Sequence, residues 1–343
     1  MTRPSLEGGC VLDDASLDQL IEKLLAGERR AVARLIAIVE SDRRAAREVM
    51  KRVYPHTGRA MVIGITGAGG AGKSTLIGHI IRSYREQGKT VGAVLIDPSS
   101  PFSGGAFLGD RVRLDKLALD DGVYVRSMAT RGSIGGLARA ANDAVRIIEA
   151  MGMDVVIVET VGVGQDEVDV IQIVQTCLLV TTPGMGDDMQ AMKAGVLEIA
   201  DIIVLNKADL EKAEVSLKSL RLILDLATGH DGAWQPRLIS TIAATPKVHD
   251  VVGLTELMAG IEAHQRYLHS GQALEWKNRQ RAEQEISLIF QDQTQQHFRD
   301  ALDRAGGKQE VLRSILEGDG DPYSVVKEIM DSFALVGPTE EES

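Results

Sequence analysis

The residues best suited to chemistry form a glycine-rich segment near position 70. This segment, Gly67 to Thr75, has the pattern G-x-x-x-x-G-K-[ST] and lies between an apolar run and an amphipathic run. In this pattern the glycines let backbone N–H groups close around phosphate oxygens, the lysine places a cation at the β and γ oxygens, and the hydroxyl ligates Mg²⁺. We therefore predict a phosphate-binding loop made of Gly67, Ala68, Gly69, Gly70, Ala71, Gly72, Lys73, Ser74 and Thr75.

A second motif bears on the choice of base. Asn206, Lys207 and Asp209 form an N-K-x-D pattern directly after an apolar run. An aspartate in this position accepts hydrogen bonds from N1–H and the 2-amino group of guanine, whereas adenine has neither donor and leaves the carboxylate unpaired. The motif therefore favours GTP and GDP, although the same residues alone could form a helix-capping turn with Asp209 as the cap.

A further base contact is expected after the next apolar run. Related nucleotide sites usually carry a serine-alanine pair there, and this chain has Thr241, Ile242, Ala243 and Ala244 instead. A backbone N–H group near Ala243 could still reach O6 of guanine. We assign Thr241 and Ala243 to the base site.

Acidic residues follow two other apolar runs and are candidates for a metal site. Asp97 and Glu159 each lie where a strand is expected to end, and ligands bind beyond the carboxyl ends of parallel strands. Glu159 takes the place of the D-x-x-G segment that holds a metal-bound water and senses the γ-phosphate. Between them, Asp110 is a candidate outer-sphere acid, and Arg111 or Arg113 could neutralise phosphate charge or be surface side chains. The predicted metal residues are Ser74, Asp97, Asp110 and Glu159, and the predicted catalytic residues are Lys73, Asp110 and Glu159.

The elements that must position these residues alternate between short apolar runs and amphipathic stretches. Near-continuous apolar strands separated by helices predict an α/β fold with a doubly wound, mostly parallel sheet. The predicted strands are Met61 to Ile65, Val91 to Ile96, Val123 to Arg126, Val155 to Val158, Leu178 to Thr181, Ile202 to Leu205 and Leu238 to Ser240.

Helical segments are predicted at both ends of this core. Residues 16 to 53 carry leucine and isoleucine at helical spacing and begin with Ser16 to Gln19, which fits a capping box. After Gly253 the pattern is helical again and includes a long polar stretch from Gln272 to Ala305. We predict a helical extension over residues 1–57, a nucleotide-binding domain over 58–270 and a helical arm over 271–343.

Composition excludes several classes of partner. The 343 residues carry 38 Lys and Arg against 49 Asp and Glu, a net charge of −11 that opposes binding to nucleic acid or to anionic lipid. The first 14 residues lack an apolar block, and no run elsewhere approaches the ~18 apolar residues of a membrane span. Only Cys10 and Cys177 are present, so no disulfide framework exists. We expect a cytoplasmic protein.

With these segments in order, the sequence resembles the methylmalonyl-CoA mutase-associated GTPases, of MeaB or ArgK type, within the signal-recognition-particle, MinD and BioD-like class of P-loop proteins. The resemblance runs from Met61 to Asp209. Besides the two nucleotide motifs, its features are Asp97-Pro-Ser-Ser-Pro101, Gly104 to Arg111, Thr130-Arg-Gly132 with Gly135-Gly-Leu137, Glu159 to Gln165 and Pro183-Gly-Met-Gly-Asp-Asp188.

The resemblance implies a Mg²⁺-dependent GTPase that acts as a chaperone of a cobalamin-dependent acyl-CoA mutase, and Glu159, where many GTPases carry aspartate, leads us to expect slow hydrolysis without a partner. Such a protein gates the loading of adenosylcobalamin, with an adenosyltransferase as a possible second partner, and helps to rescue the inactivated enzyme. The helical arm then corresponds to a dimerisation arm, which implies a homodimer. The switch that couples nucleotide state to the mutase would include Arg111, Arg113, Gly184, Asp187, Asp188, Gln190 and Lys193.

Two rival functions share parts of this pattern. A nickel-insertion GTPase needs a metal-handling cluster, but His264 and His269 lie five residues apart, and neither cysteine has a second cysteine or histidine at ligand spacing. An ATP-dependent kinase linked to amino-acid transport is the other rival, and Asp209 argues against ATP. A nucleotide-gated interaction protein whose turnover is incidental remains a third alternative.

Overall fold

The computed structural model describes residues 13–97, 117, 119–129, 134–160, 174–184, 200–227, 234–245, 247–304 and 306–334. The chain divides into two compact units, Met1–Glu285 and Ile286–Ser343. The described part of the first unit contains the sheet and its covering helices. The described part of the second unit is entirely helical. Within these described ranges, no helix has the length and apolar character to cross a membrane.

The described residues of the first unit form a seven-stranded sheet, and all its strand pairs are parallel. The order is β3-β2-β4-β1-β5-β6-β7. All seven strands predicted from the apolar runs are confirmed, with ends that differ by at most two or three residues. The strands are β1 (Met61–Thr66), β2 (Val91–Asp97), β3 (Val123–Ala129), β4 (Val155–Glu159), β5 (Thr176–Thr181), β6 (Ile202–Leu205) and β7 (Arg237–Ser240).

The topology creates a crevice at β1. This strand lies between β4, which leads to β2 and β3, and β5, which leads to β6 and β7. Because the strand order reverses at this point, the loop after β1 lies at the crevice where doubly wound folds bind their ligands. The topology therefore puts the glycine-rich segment at the usual ligand-binding edge of a doubly wound fold.

Helices cover both faces of the sheet. Side chains of α4 (Lys73–Glu86) and α7 (Leu254–His269) share one buried apolar cluster with alternate residues of the central strands, including Ile65, Ile157 and Val204. On the other face, α6 (Ala213–Ala227) packs on β5 and β6. The helix α5 (Ile134–Ala150) packs on β2 and β4.

The predicted helical extension consists of three helices, α1 (Asp14–Leu25), α2 (Arg29–Ser41) and α3 (Arg43–Val53). The capping box predicted at Ser16 is wrong. The N-cap is Asp13, whose side chain accepts a hydrogen bond from the Ser16 backbone N–H at 2.9 Å, so the first helix begins two residues earlier. An aspartate suits this position because its carboxylate satisfies a backbone donor that the helix leaves open.

The α1–α3 bundle covers the outer side of α5. Polar side chains on this side of α5 are therefore shielded from solvent and bond to one another or to the covering helices. Arg139 donates to the Asp143 carboxylate at 2.6 Å and to the Val39 backbone carbonyl at 2.9 Å. Both side chains are buried. A buried charge is tolerated only when it is paired and hydrogen-bonded, and this pairing joins α2 to α5.

Helices also follow the sheet, as predicted. The long polar stretch is α8 (Ala273–Arg304), followed by α9 (Lys308–Glu317) and α10 (Pro322–Ala334). Residues 286–334 of the second unit therefore comprise part of α8 together with α9 and α10.

Candidate nucleotide-binding site

The glycine-rich loop has a backbone that only glycine adopts without strain at several positions. Gly67, Gly70 and Gly72 have φ angles of 139°, 76° and 89°. At Gly67 a Cβ atom would lie 1.9 Å from the backbone oxygen of Val180, so any side chain there would displace the loop from β5. The motif glycines are thus required both for conformation and for close packing between β1 and β5.

Lys73, the first residue of α4, closes the loop from inside. It is buried, and its Nζ donates to the backbone oxygens of Gly67 at 2.6 Å and of Ala68 at 3.1 Å. The ammonium group therefore lies within the curve of the loop, beside the positive end of the α4 dipole. Both charges favour an anion at this point, which is the requirement for binding β and γ phosphates.

Asn206 ties the phosphate loop to the base-recognition loops. Its Nδ2 donates to the Ala71 backbone oxygen at 2.8 Å, and its Oδ1 accepts from Thr241 Oγ1 at 3.1 Å and from the Ala243 backbone N–H at 3.2 Å. A Cβ atom on Gly72 would lie 2.4 Å from Nδ2. One buried amide thus joins three segments that are far apart in sequence.

Lys207 and Asp209 have different positions in the same motif. Lys207 has a φ of 56°, and its Nζ donates to the Gly70 backbone oxygen at 2.8 Å across the loop. Asp209 is exposed at the carboxyl edge of the sheet, two residues farther along. Lys207 therefore braces the phosphate loop while Asp209 stays accessible to a base, as guanine recognition requires.

Ser74 and Glu159 meet at the end of β4. The Ser74 hydroxyl donates to Glu159 Oε1 at 2.8 Å, and the carboxylate is largely buried. Just beyond, Thr160 Oγ1 donates to Thr66 Oγ1 at 2.9 Å and joins the ends of β4 and β1. A hydroxyl and a carboxylate at the phosphate loop are hard oxygen donors, so the pair fits Mg²⁺, which binds through one or two protein oxygens and the phosphates.

Comparison with known proteins agrees with this geometry. The model of the family described as "Methylmalonyl Co-A mutase-associated GTPase MeaB" matches residues 32–303, which is most of the chain. The chain belongs to this family. The resemblance inferred from the motifs is therefore confirmed.

Individual relatives support the same assignment. A protein of Pyrococcus abyssi that is named as a GTPase is 46% identical over 320 residues, covering 92% of this chain and 97% of the relative. The GTPase ArgK of Escherichia coli is 31% identical, covering 82% of this chain and 88% of ArgK. The crystal structure of an LAO/AO transport system kinase has a TM-score of 0.67 at 23% identity and covers 94% of this chain and 99% of that one, which supports the α/β fold.

Several site residues predicted for this MeaB-family chain lie outside the described residues. They are Asp110, Arg111, Arg113, Asp187, Asp188, Gln190 and Lys193. The backbone of Asp97 ends β2 beside β4, with Leu95 opposite Glu159, whereas the Asp97 side chain is outside the described part. Gly184, which begins the predicted coupling segment, has a φ of 87° and is exposed. The roles of all these residues stay predictions.

In this MeaB-family member, His79 contacts the base loop, which is the segment with Thr241 and Ala243. The sequence motifs did not identify this residue. His79 on α4 is buried, and its Nε2 lies 3.2 Å from the Ala243 backbone oxygen. Burial lowers the pKa of His79, so the ring is held neutral. Thr241 and Ala243 bond to Asn206 in this structure, so their predicted contact with guanine remains open. Nothing in the spacing of His79 could have predicted this link.

Proposed function

We propose that this protein is a Mg²⁺-dependent GTPase and a chaperone of a cobalamin-dependent acyl-CoA mutase of the methylmalonyl-CoA mutase type. In this proposal it gates adenosylcobalamin loading and protects or reactivates the mutase. The observation that carries the proposal is the match of the MeaB family model, which is named for association with that mutase, over residues 32–303. We propose further that it acts in the cytoplasm as a homodimer built through the helical arm, and that the mutase's adenosyltransferase is a second partner.

The proposed catalytic roles follow from the contacts at the loop. Lys73, now bonded to loop carbonyls, would turn to the β and γ oxygens, and exposed Asp209 would accept from guanine. Ser74 would ligate Mg²⁺, which neutralises charge on the phosphates. Glu159 would then exchange its bond to Ser74 for a bond to the metal-bound or attacking water. Hydrolysis is expected to be slow, because the motifs place no glutamine as Ras-like enzymes do.

Partner coupling is assigned to residues that the family resemblance singled out. In the proposal Gly184, Asp187, Asp188, Gln190 and Lys193, together with Arg111 and Arg113, respond to the mutase. Binding of the mutase would complete the electrostatic stabilisation that the free protein lacks, and so would accelerate GTP hydrolysis.

The test is single-turnover GTP hydrolysis with and without methylmalonyl-CoA mutase in excess. The mutase should raise the rate of the unsubstituted protein, and Asp188→Ala or Lys193→Ala should reduce the stimulated rate far more than the basal one. Lys218→Ala is a matched control, because Lys218 is exposed on α6. Lys73→Ala should abolish hydrolysis in both conditions while the protein stays folded.

The outcomes separate the candidate functions. Absence of any mutase effect on rate, nucleotide affinity or cobalamin loading would overturn the chaperone role and leave the GTPase assignment standing. ATP binding within about tenfold of GTP would instead favour the kinase function, since a hydrogen bond that Asp209 makes only with guanine should give a much larger difference in affinity. Full stimulation of both switch variants would exclude their segment as the coupling element.

A further inference from the structure

A second pocket lies at the amino edge of the sheet, away from the phosphate loop. Its floor lies at Asp201, directly before β6, and its walls come from Trp234, from the end of α7 and from the segment that leads into the first turn of α8. Its volume is about 430 Å³. None of its lining residues belongs to the nucleotide site. At ~3.3 Å per strand residue, Asp201 is about 16 Å along β6 from Asn206, which lies at the nucleotide site.

Both tryptophans of the chain line this pocket. The ring of Trp234 lies 4.7 Å from that of His264 and 5.5 Å from that of Tyr267, which forms one continuous aromatic wall. Trp276 lines the mouth and is 60% exposed. Large aromatic side chains left open to solvent around a concavity are typical of sites that bind a flat ring, because stacking and burial both contribute.

The charged groups of the pocket are already arranged in a partial network. Asp201 Oδ2 accepts from the Cys177 backbone N–H at 2.8 Å and lies 3.5 Å from Lys277 Nζ. Its Oδ1 is 3.4 Å from His264 Nε2. Three protein contacts therefore use most of the roughly four lone-pair positions of this carboxylate.

Lys277 has capacity left for a ligand. An ammonium group has three donors, and the contact with Asp201 uses one of them at a long distance. The Lys277 side chain is 21% exposed and lines the pocket. His264 adds no competing positive charge at neutral pH, because burial lowers its pKa to about 4. Lys277 is therefore the cation among the lining residues, and Arg237, which does not line the pocket, has its guanidinium over the Trp234 ring, 5.3 Å from the ring centroid.

We propose that this pocket binds a small planar aromatic carboxylate. The ring packs against Tyr267 and Trp276 beside the wall that Trp234 forms, and the carboxylate accepts hydrogen bonds from Lys277. A volume of about 430 Å³ lies in the lower part of the ~300–1,000 Å³ range of small-molecule sites, which suits one or two rings. This inference does not depend on the mutase or on the nucleotide.

Tryptophan fluorescence of the full-length protein tests the proposal directly, because both tryptophans are in the pocket. The probes are benzoate, neutral benzamide, cationic benzylamine and ringless acetate. Benzoate should change the emission saturably and bind at least tenfold more tightly than the other three. Lys277→Met should remove the preference of benzoate over benzamide, whereas the exposed Lys247→Met should keep it.

Basal GTP hydrolysis by Lys277→Met at the normal rate would show that the variant is folded. Saturable binding of benzoate with loss of its advantage in Lys277→Met supports the proposal. A linear, collisional quench by benzoate, equal binding of benzylamine or acetate, or an undiminished preference in Lys277→Met would each overturn it. None of these results depends on whether the mutase stimulates hydrolysis.

Discussion

At the scale of single residues, the N-K-x-D motif performs two tasks that the pattern does not distinguish. Asn206 is buried and holds the phosphate loop and the base loop together through three hydrogen bonds. Asp209 is exposed, and its proposed role is to read the base. Substitutions at the two positions should therefore differ in kind: loss of the Asn206 amide leaves buried groups unpaired and destabilises the fold, whereas a change at Asp209 alters selectivity.

Asp209→Asn should change the choice of base without unfolding the protein. The amide would present a donor toward the guanine 2-amino group, so GDP affinity should fall by about a hundredfold or more. Xanthine carries an oxygen at that position and should bind better to the variant than to the unsubstituted protein. Calorimetric titration with GDP and XDP measures both effects, and Glu211→Gln, at a nearby exposed position, is the control. Unchanged GDP affinity would contradict the base-reading role.

His264 predicts a specific dependence of stability on pH. Burial outweighs the attraction of Asp201 and lowers the pKa of His264 to about 4 in the folded protein, against an ordinary value of 6.5. The unfolded chain therefore binds the proton more tightly. The contribution of neutral His264 is fully present above about pH 6.5 and is lost as the pH falls toward 4. The loss should be on the order of 3 kcal/mol, at ~1.36 kcal/mol per pKa unit.

Urea unfolding at several pH values checks this expectation. His264→Gln should flatten the fall in the free energy of unfolding between pH 6.5 and 4, even if it lowers stability at every pH by disturbing the contact with Thr176. His269→Gln, at an exposed position on the same helix, should leave the slope unchanged. Equal slopes for the two variants would mean that His264 is not the titrating group.

At the scale of elements, α5 is the helix whose contacts cannot be deduced from its own sequence. The structure buries almost all its described side chains because α1–α3 cover one side while the sheet covers the other. Near its end, Arg146 contacts Glu149 at 3.2 Å and Glu285 of α8 at 2.9 Å. Arg281 belongs to the same buried group, and burial lowers its pKa to about 10. Two cations and two anions thus balance between α5 and α8.

Glu149→Ala should destabilise the first unit strongly. It removes one anion from a buried, balanced cluster and also removes the acceptor of the Gly58 backbone N–H. Breaking a buried ion pair from one side typically costs about 3–5 kcal/mol, because the remaining charge is left uncompensated. Urea unfolding measures the loss. Glu283→Ala, on the exposed side of α8, should cost under about 0.5 kcal/mol, and similar losses for both variants would show that the cluster contributes little.

At the scale of the whole molecule, the chain forms two compact units with a boundary at Glu285. Every described residue of the nucleotide site belongs to the first unit. The sequence predicts that the helical arm begins at residue 271, whereas the boundary between the two compact units follows Glu285. The predicted start of the arm as a functional domain stays a prediction. Because the described residues of the nucleotide site all belong to the first unit, nucleotide should change the stability of the first unit more than that of the second.

Calorimetry should resolve two thermal transitions. GDP with Mg²⁺ should raise the midpoint temperature of only the transition that belongs to residues 1–285. A ligand that binds only the native state at about 1,000 times its Kd adds ~4 kcal/mol to the stability of the unit that binds it. Lys73→Ala should reduce the shift. A single transition that moves as a whole would mean that the two units unfold cooperatively.

The sequence by itself determined the local features of this protein. Apolar runs of three to six residues indicate the strands, and the glycine and N-K-x-D patterns predict the phosphate and base loops, because these signals depend only on neighbouring residues. The N-cap of α1 shows that local signals do not always determine where a helix begins. Asp13 and Ser16 are both good capping residues, and the choice between them depended on where packing began the helix.

Only the tertiary structure decided which distant residues meet. The link of Asn206 to Ala71, the contact of His79 with Ala243 and the cluster of Arg146 with Glu285 join positions 135, 164 and 139 residues apart. The aromatic pocket arises in the same way, from Trp234 and Trp276 on either side of α7 in sequence. Such contacts depend on the order and direction of strands and on helix packing, which no local pattern encodes.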